Sequence, residues 1–387
     1  MTAEKFQIKI PDEALLDLDN RLKRTKWPDE IPGSGWDFGT DLLQLKTLVY
    51  YWKNEYNWRK QETELNRLSH FKAEISDMAI HFVHERGKGP NPFPLILTHG
   101  FPDSFLRFQK IIPLLSDPEA HGADPSDSFD IVVPSIPGYG FSDVPNKAGS
   151  LFRINDLWAE LMTNILGYKR FGAHGGDWGG LITEHLARNH SDHVVGIHLT
   201  DINFIHTFQK QDDLSTEEEK YLADIKKWQE TEGAYAMIQA TRPQTLAAGL
   251  NDSPAALAAW FIEKFQSMSD CQEDLFKCYS KDELINNIMI YWLTEKICSS
   301  FHPYYDVMNA GAFTWIGEKI KEWKGSDRVP AAFCFFAREN SHPPREWAER
   351  FFNVQQWTNT KHGGHFTAME EPEILAEDIR KFFRAYR

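Results

Sequence analysis

No stretch of this 387-residue chain approaches the roughly 18 consecutive apolar residues that a membrane-spanning helix needs. Its first residues, Met1 to Lys5, lack the apolar core of a secretory signal. Cysteine is scarce: Cys271, Cys278, Cys298 and Cys334 are all there are, and none falls in the close pairs that ligate a metal. Blocks of Lys and Arg are missing, and 56 Asp and Glu against 42 Lys and Arg leave a net charge of -14. That balance excludes nucleic acid and anionic membranes as natural partners. Internal repeats and low-complexity segments are absent as well. What remains is a soluble cytosolic protein with reduced thiols, without a metal or cofactor motif, acting on something small and not strongly anionic.

Aromatics are plentiful, with 27 Phe and 13 Trp, enough for a large core or an apolar cavity. Residues 6–10 alternate as a short strand would. Two amphipathic helices follow, one carrying Leu15, Leu18 and Leu22, the other Leu42, Leu45, Val49, Trp52 and Tyr56. Residues 1–68 have too little core of their own and are expected to form a helical meander lying on the main body. From residue 70 the apolar period becomes two, and strands are expected at 70–75, 79–84, 94–98, 129–134, 170–174 and 194–199, with helices between them. This alternation predicts a mostly parallel sheet with crossover helices on both faces, first over 69–202 and again over 325–387, where 329–336 is a strand. Residues 203–324 read as a helical insertion. Ser215 to Glu218 and Ser280 to Glu283 have capping-box spacing, and Ser253-Pro254 pairs a Ser N-cap with a Pro at the first helical position. A last helix from Pro372 should bury Ile374, Leu375, Ile379, Phe382 and Phe383.

The chemistry centres on Gly175-Gly176-Asp177-Trp178-Gly179-Gly180, which lies between an apolar strand and a helical pattern. Small residues on both sides of one reactive side chain are what a nucleophile elbow requires. The bland reading, an Asp capping the next helix, leaves the double glycines unexplained. A carboxylate nucleophile displaces a leaving group at a saturated carbon and becomes an alkyl ester that water then hydrolyses. His99-Gly100-Phe101-Pro102 follows a buried strand, so the amides of Phe101 and Trp178 can form an oxyanion hole. His365, in a loop between the last predicted strand and the closing helix, is the expected base for the water, with His362 as its rival. Glu339 is the expected acid that orients His365, and Asp201 is the alternative.

These motifs resemble the epoxide hydrolases of the α/β-hydrolase superfamily, in particular their microsomal-like branch. The resemblance runs from the meander through residues 99–104 and 175–180 to Ala248-Gly249-Leu250-Asn251-Asp252-Ser253-Pro254, Tyr291-Trp292 and Gly363-Gly364-His365-Phe366. It implies an α/β-hydrolase fold with a helical lid and an N-terminal meander. It also implies a catalytic set of Asp177, His365 and Glu339, with two lid tyrosines that bind and protonate the epoxide oxygen. Tyr235 matches one of these; Tyr304 matches the other, with the adjacent Tyr305 as alternative. The expected substrates are an apolar epoxide and water, the product a vicinal diol, and the setting detoxification or secondary metabolism. Lid aromatics (Trp260, Phe261, Phe265, Tyr291, Trp292, Phe313, Trp315) suggest a bulky substrate. Members of this branch carry a membrane anchor ahead of the meander, and its absence here reads as a soluble microbial relative. A haloalkane dehalogenase and a catalytically silent binding protein are the competing readings. The oligomeric state stays open, a homodimer included.

Overall fold

The computed structural model describes residues 2–147, 149–208, 211–309 and 329–387. Its strands are β1 (Glu4–Lys5), β2 (His70–Ile75), β3 (Met78–Glu85), β4 (Phe93–Thr98), β5 (Phe129–Pro134), β6 (Phe171–Gly175), β7 (Val194–Leu199), β8 (Pro330–Phe335) and β9 (Asn353–Asn359). They form a single sheet in the order β1-β2-β3-β5-β4-β6-β7-β8-β9. Pairing is antiparallel from β1 to β3 and between β3 and β5, and parallel from β5 onward. The central strands β5 and β6 are buried along their whole length, which is why their sequences are continuous rather than alternating. The elbow at Asp177 lies at the C-terminal edge of β6, where open parallel sheets bind ligands.

Two strand expectations are corrected. Residues 6–10 do not form a strand, because side chains satisfy their backbone: Ile8 N–H donates to Asn66 Oδ1 (2.8 Å), and Ile10 N–H donates to Glu62 Oε1 (2.7 Å). Strand β9 was not anticipated at all. Asn-Val-Gln-Gln-Trp-Thr-Asn is polar because it is an edge strand with only Val354 buried.

The N-terminal helices Asp12–Lys23 and Leu42–Asn54 bury Leu18, Leu22, Leu45, Leu48, Val49 and Trp52, each such aliphatic side chain contributing about 2 kcal/mol. Polar contacts tie them to the helices after β7. Tyr51 donates to Asp282 (2.9 Å) and Tyr56 to Asn286 (2.7 Å). Between β7 and β8, the described residues form helices Thr216–Thr231, Ala234–Thr241, Pro243–Leu250, Pro254–Ser267, Lys281–Thr294 and His302–Asn309, with no strand among them. Both capping boxes and the Ser253 cap form. The expected end of this insertion at 324, together with Phe313 and Trp315, lies outside the described residues.

Other expectations change on contact with neighbours. Cys271 and Cys278 are joined by a disulfide across Cα atoms 5.4 Å apart, because the turn Leu275–Lys277 folds the chain back on itself. Only Cys298 and Cys334 are free thiols. In the closing helix Pro372–Phe383, Ile374 is 37% exposed while Leu375, Ile379, Phe382 and Phe383 are buried. Among the described residues, no helix is long and apolar enough to cross a membrane.

Candidate active site

Asp177 connects β6 to helix Trp178–Asn189 and holds φ at 58° and ψ at -131°, a region L-residues rarely occupy, at a cost of about 1–3 kcal/mol. The glycines around it serve a different need, close approach. A Cβ on Gly179 would lie 1.9 Å from the Thr98 carbonyl oxygen, and one on Gly100 would lie 2.3 Å from Asp177 Oδ1. Asp177 Oδ1 accepts hydrogen bonds from Phe101 N–H (3.0 Å) and Trp178 N–H (2.7 Å). The carboxylate therefore does cap the helix, but with one oxygen only. Oδ2 faces His365 Nε2 at 3.5 Å.

His365 Nδ1 is 2.7 Å from Glu339 Oε1, which also accepts the Asn340 N–H at 2.8 Å. Burial alone would lower the proton affinity of His365, but the Glu339 charge and the Asp177 contact outweigh it and raise the imidazole well above its usual range. The same attraction overcomes the burial of Glu339 and lowers its carboxyl. The loop that carries His365 is fixed at both backbone atoms. Its N–H donates to the Met268 carbonyl (2.8 Å), and its own carbonyl accepts from Arg107 Nη2 (2.6 Å). Arg107 is in turn paired with Asp103 at 2.5 Å, both fully buried. Burial would raise the Asp103 carboxyl, yet Arg107 holds it down to about 2. Neither residue was singled out in the sequence, although their i, i+4 spacing just after His99-Gly100 was a legible signal.

The remaining candidates separate cleanly. His362 is exposed and does not reach Asp177. Asp201 does not contact His365 Nδ1; its Oδ2 accepts the Asp177 backbone N–H at 2.9 Å. Burial, then the Glu339 charge, push its carboxyl up to about 7. Tyr304 is buried, with its ring 4.7 Å from Trp178 and 6.1 Å from Tyr235, whereas Tyr305 is 38% exposed. Withdrawal from water raises both the Tyr235 and the Tyr304 hydroxyls, and the Asp177 charge adds to it. Both phenols therefore keep their protons at neutral pH.

Asp177, His365, Glu339, Tyr235 and Tyr304 share one cavity of about 420 Å³, walled by Ile202, Phe204, Ile205, Trp228, Val307 and Met308. None of the described lid aromatics expected to shape the substrate lines it. Phe261 packs on Phe101 and Tyr291, and Phe265 stacks on Phe366 at 4.2 Å, so they are lid core. Among the described residues, no group of three or more His, Cys, Asp and Glu is arranged to hold a metal ion.

Residues 3–108 match the family model for the epoxide hydrolase N terminus, and residues 94–249 match that for the alpha/beta hydrolase fold. A relative from Stigmatella aurantiaca (strain DW4/3-1), which carries an epoxide hydrolase name, is 40% identical over 99% of this chain and 85% of its own length. Epoxide hydrolase 1 of Oryctolagus cuniculus is 34% identical over 97% of this chain and 88% of its own. Among solved structures, juvenile hormone epoxide hydrolase from the silkworm Bombyx mori superposes with a TM-score of 0.88 at 29% identity, covering 100% of this chain and 95% of its own. The Aspergillus niger epoxide hydrolase gives a TM-score of 0.84 at 28% identity, covering 100% and 97%.

Proposed function

The chain belongs to the epoxide hydrolase family of the α/β-hydrolase fold, and from that premise we infer that hydrolysis proceeds through an alkyl ester on Asp177. The observation that carries this reading is the division of labour within one carboxylate. Phe101 and Trp178 amides hold Oδ1, so Oδ2, which faces His365 and lines the cavity with both phenols, is the oxygen free to attack.

In the first step Oδ2 bonds to an epoxide carbon, the C–O bond of the ring breaks, and one of Tyr235 and Tyr304 gives its proton to the departing oxygen. A neutral phenol suits that task, because the developing alkoxide is far more basic than phenolate. In the second step His365 takes a proton from water, and the hydroxide adds to the ester carbonyl carbon. The oxyanion on Oδ1 already has its two donors in place. Collapse breaks the bond between the carbonyl carbon and Oδ2, the proton on His365 goes to the leaving alkoxide, and the diol is complete. Asp177 is then a carboxylic acid, and its proton restores the tyrosine. Glu339 holds the imidazole in the tautomer that presents a bare Nε2 to water.

The apolar cavity walls suit an apolar epoxide. Displacing a halide, the competing use of the same nucleophile, calls for N–H donors at the leaving-group end; the Trp178 indole N–H is one such donor, but the two phenols in the same cavity are the acidic O–H groups that an epoxide oxygen needs and a halide does not. The expected cytosolic setting loses one of its supports, since two of the four thiols, Cys271 and Cys278, are joined in a disulfide. A His365→Gln variant tests the covalent step. After incubation with an aryl or alkyl epoxide, the peptide containing Asp177 should gain the mass of the intact substrate. An unmodified peptide, or an adduct on another residue, contradicts the reading.

A further inference from the structure

The alkyl-ester route leaves one buried carboxyl group of the cavity without a role. Asp201 follows β7 and stands beside the elbow. Its Oδ2 takes the Asp177 backbone N–H at 2.9 Å, and its Oδ1 is buried with no hydrogen-bond partner. A Cβ on Gly180 would come within 2.6 Å of that Oδ1, so the second glycine after the nucleophile leaves room for this carboxyl group. A buried carboxyl facing Glu339 and Asp177 is costly to keep. The ring nitrogen of His365 that a second carboxylate would orient is already bonded to Glu339.

Building on the alkyl-ester reading, we propose that Asp201 is a positioning residue for the nucleophile. By accepting the Asp177 amide it fixes the rare backbone conformation that turns Oδ2 toward the substrate. The amide of a residue at φ 58° at the end of β6 has no strand neighbour to accept it, and without Asp201 it has no acceptor. An ionised Asp201 accepts more strongly than a protonated one. Its carboxyl is pushed up to about 7 by burial and by Glu339, so the brace tightens as pH rises through neutrality. The groups bearing on that ionisation are Asp177, Glu339 and His365, the last favouring the charged form; Tyr221 lies within electrostatic reach.

The experiment measures the single-turnover rate of Asp177 ester formation by rapid quench and mass spectrometry in wild type, Asp201→Ala, Asp201→Asn and Gly180→Ala. Alanine removes the acceptor and should slow ester formation by about tenfold or more. Asparagine keeps an acceptor oxygen at the same place and should restore the rate to within about threefold of wild type. Gly180→Ala displaces the carboxyl without removing it and should be slowed like Asp201→Ala; it serves as the probe if the alanine variant at 201 does not fold. A wild-type rate in Asp201→Ala, or in Gly180→Ala where Asp201→Ala does not fold, would overturn the proposal, as would an asparagine variant as slow as Asp201→Ala. If wild type itself forms no ester on Asp177, the alkyl-ester reading fails; if it does and Asp201→Ala matches it, only the role of Asp201 fails.

Discussion

His365 changes its proton affinity during the proposed cycle because one of its two carboxylate neighbours disappears. In the free enzyme both Glu339 and Asp177 stabilise the imidazolium. Once Asp177 is esterified its charge is gone, His365 releases its proton more readily, and it becomes a base when a base is needed. The base must be neutral, so ester hydrolysis rises with pH through the His365 ionisation and is lost below it. Glu339→Gln removes the largest contribution that raises this ionisation. Its acidic limb in stopped-flow hydrolysis of preformed ester should move to lower pH, with the plateau down by about 100-fold as orientation is lost. A limb that stays in place would contradict the assignment of Glu339. Two phenols bear on the other half of the reaction. Tyr235→Phe and Tyr304→Phe should each slow ester formation by about tenfold or more, whereas Tyr305→Phe, at an exposed position, should leave it unchanged. Equal rates in all three variants would mean that the wrong hydroxyls have been chosen.

The turns and helices that hold these side chains differ in how far they could be read from sequence. The elbow was legible because its requirement is local: a strand ending in two glycines, a carboxylate, a tryptophan, two more glycines and a helical pattern. Helix starts at Ser215, Ser253 and Ser280 were legible for the same reason, since a cap and its partner lie three residues apart. Strand β9 was not, because an edge strand need not be apolar, and the amides of Ile8 and Ile10 find acceptors more than 50 positions away in sequence. The Arg107 to His365 carbonyl bond spans 258 residues, and no sequence period encodes it. The disulfide was hidden because a spacing of seven does not by itself bring two cysteines together. The buried Asp103–Arg107 pair under the His365 loop invites a direct test. Arg107→Met strands a buried carboxylate and should cost about 3–5 kcal/mol in denaturant unfolding, together with loss of ester hydrolysis. A loss below about 1 kcal/mol would show that the pair is not what secures the loop.

Across the whole molecule, the N-terminal helices reach the active site through the helix Lys281–Thr294. Tyr56 and Gln61 bond to Asn286, and Tyr51 and Gln61 to Asp282. One residue further on, Asn287 Nδ2 donates to the Pro102 carbonyl at 2.7 Å, next to the amide of Phe101 that holds Asp177 Oδ1. Asn287→Leu leaves that carbonyl without its donor and should slow ester hydrolysis by about tenfold, while Tyr56→Phe, farther from the turn, should cost about 1 kcal/mol of stability with the chemistry intact. In the proposed cycle, oxygen from water enters the enzyme before it enters the product. A single turnover with excess enzyme in heavy-oxygen water, followed by peptide mass spectrometry, tests it. Label in the Asp177 carboxylate and an unlabelled first-turnover diol are the predicted result; label in the diol with none in Asp177 would show direct attack by water and contradict the account.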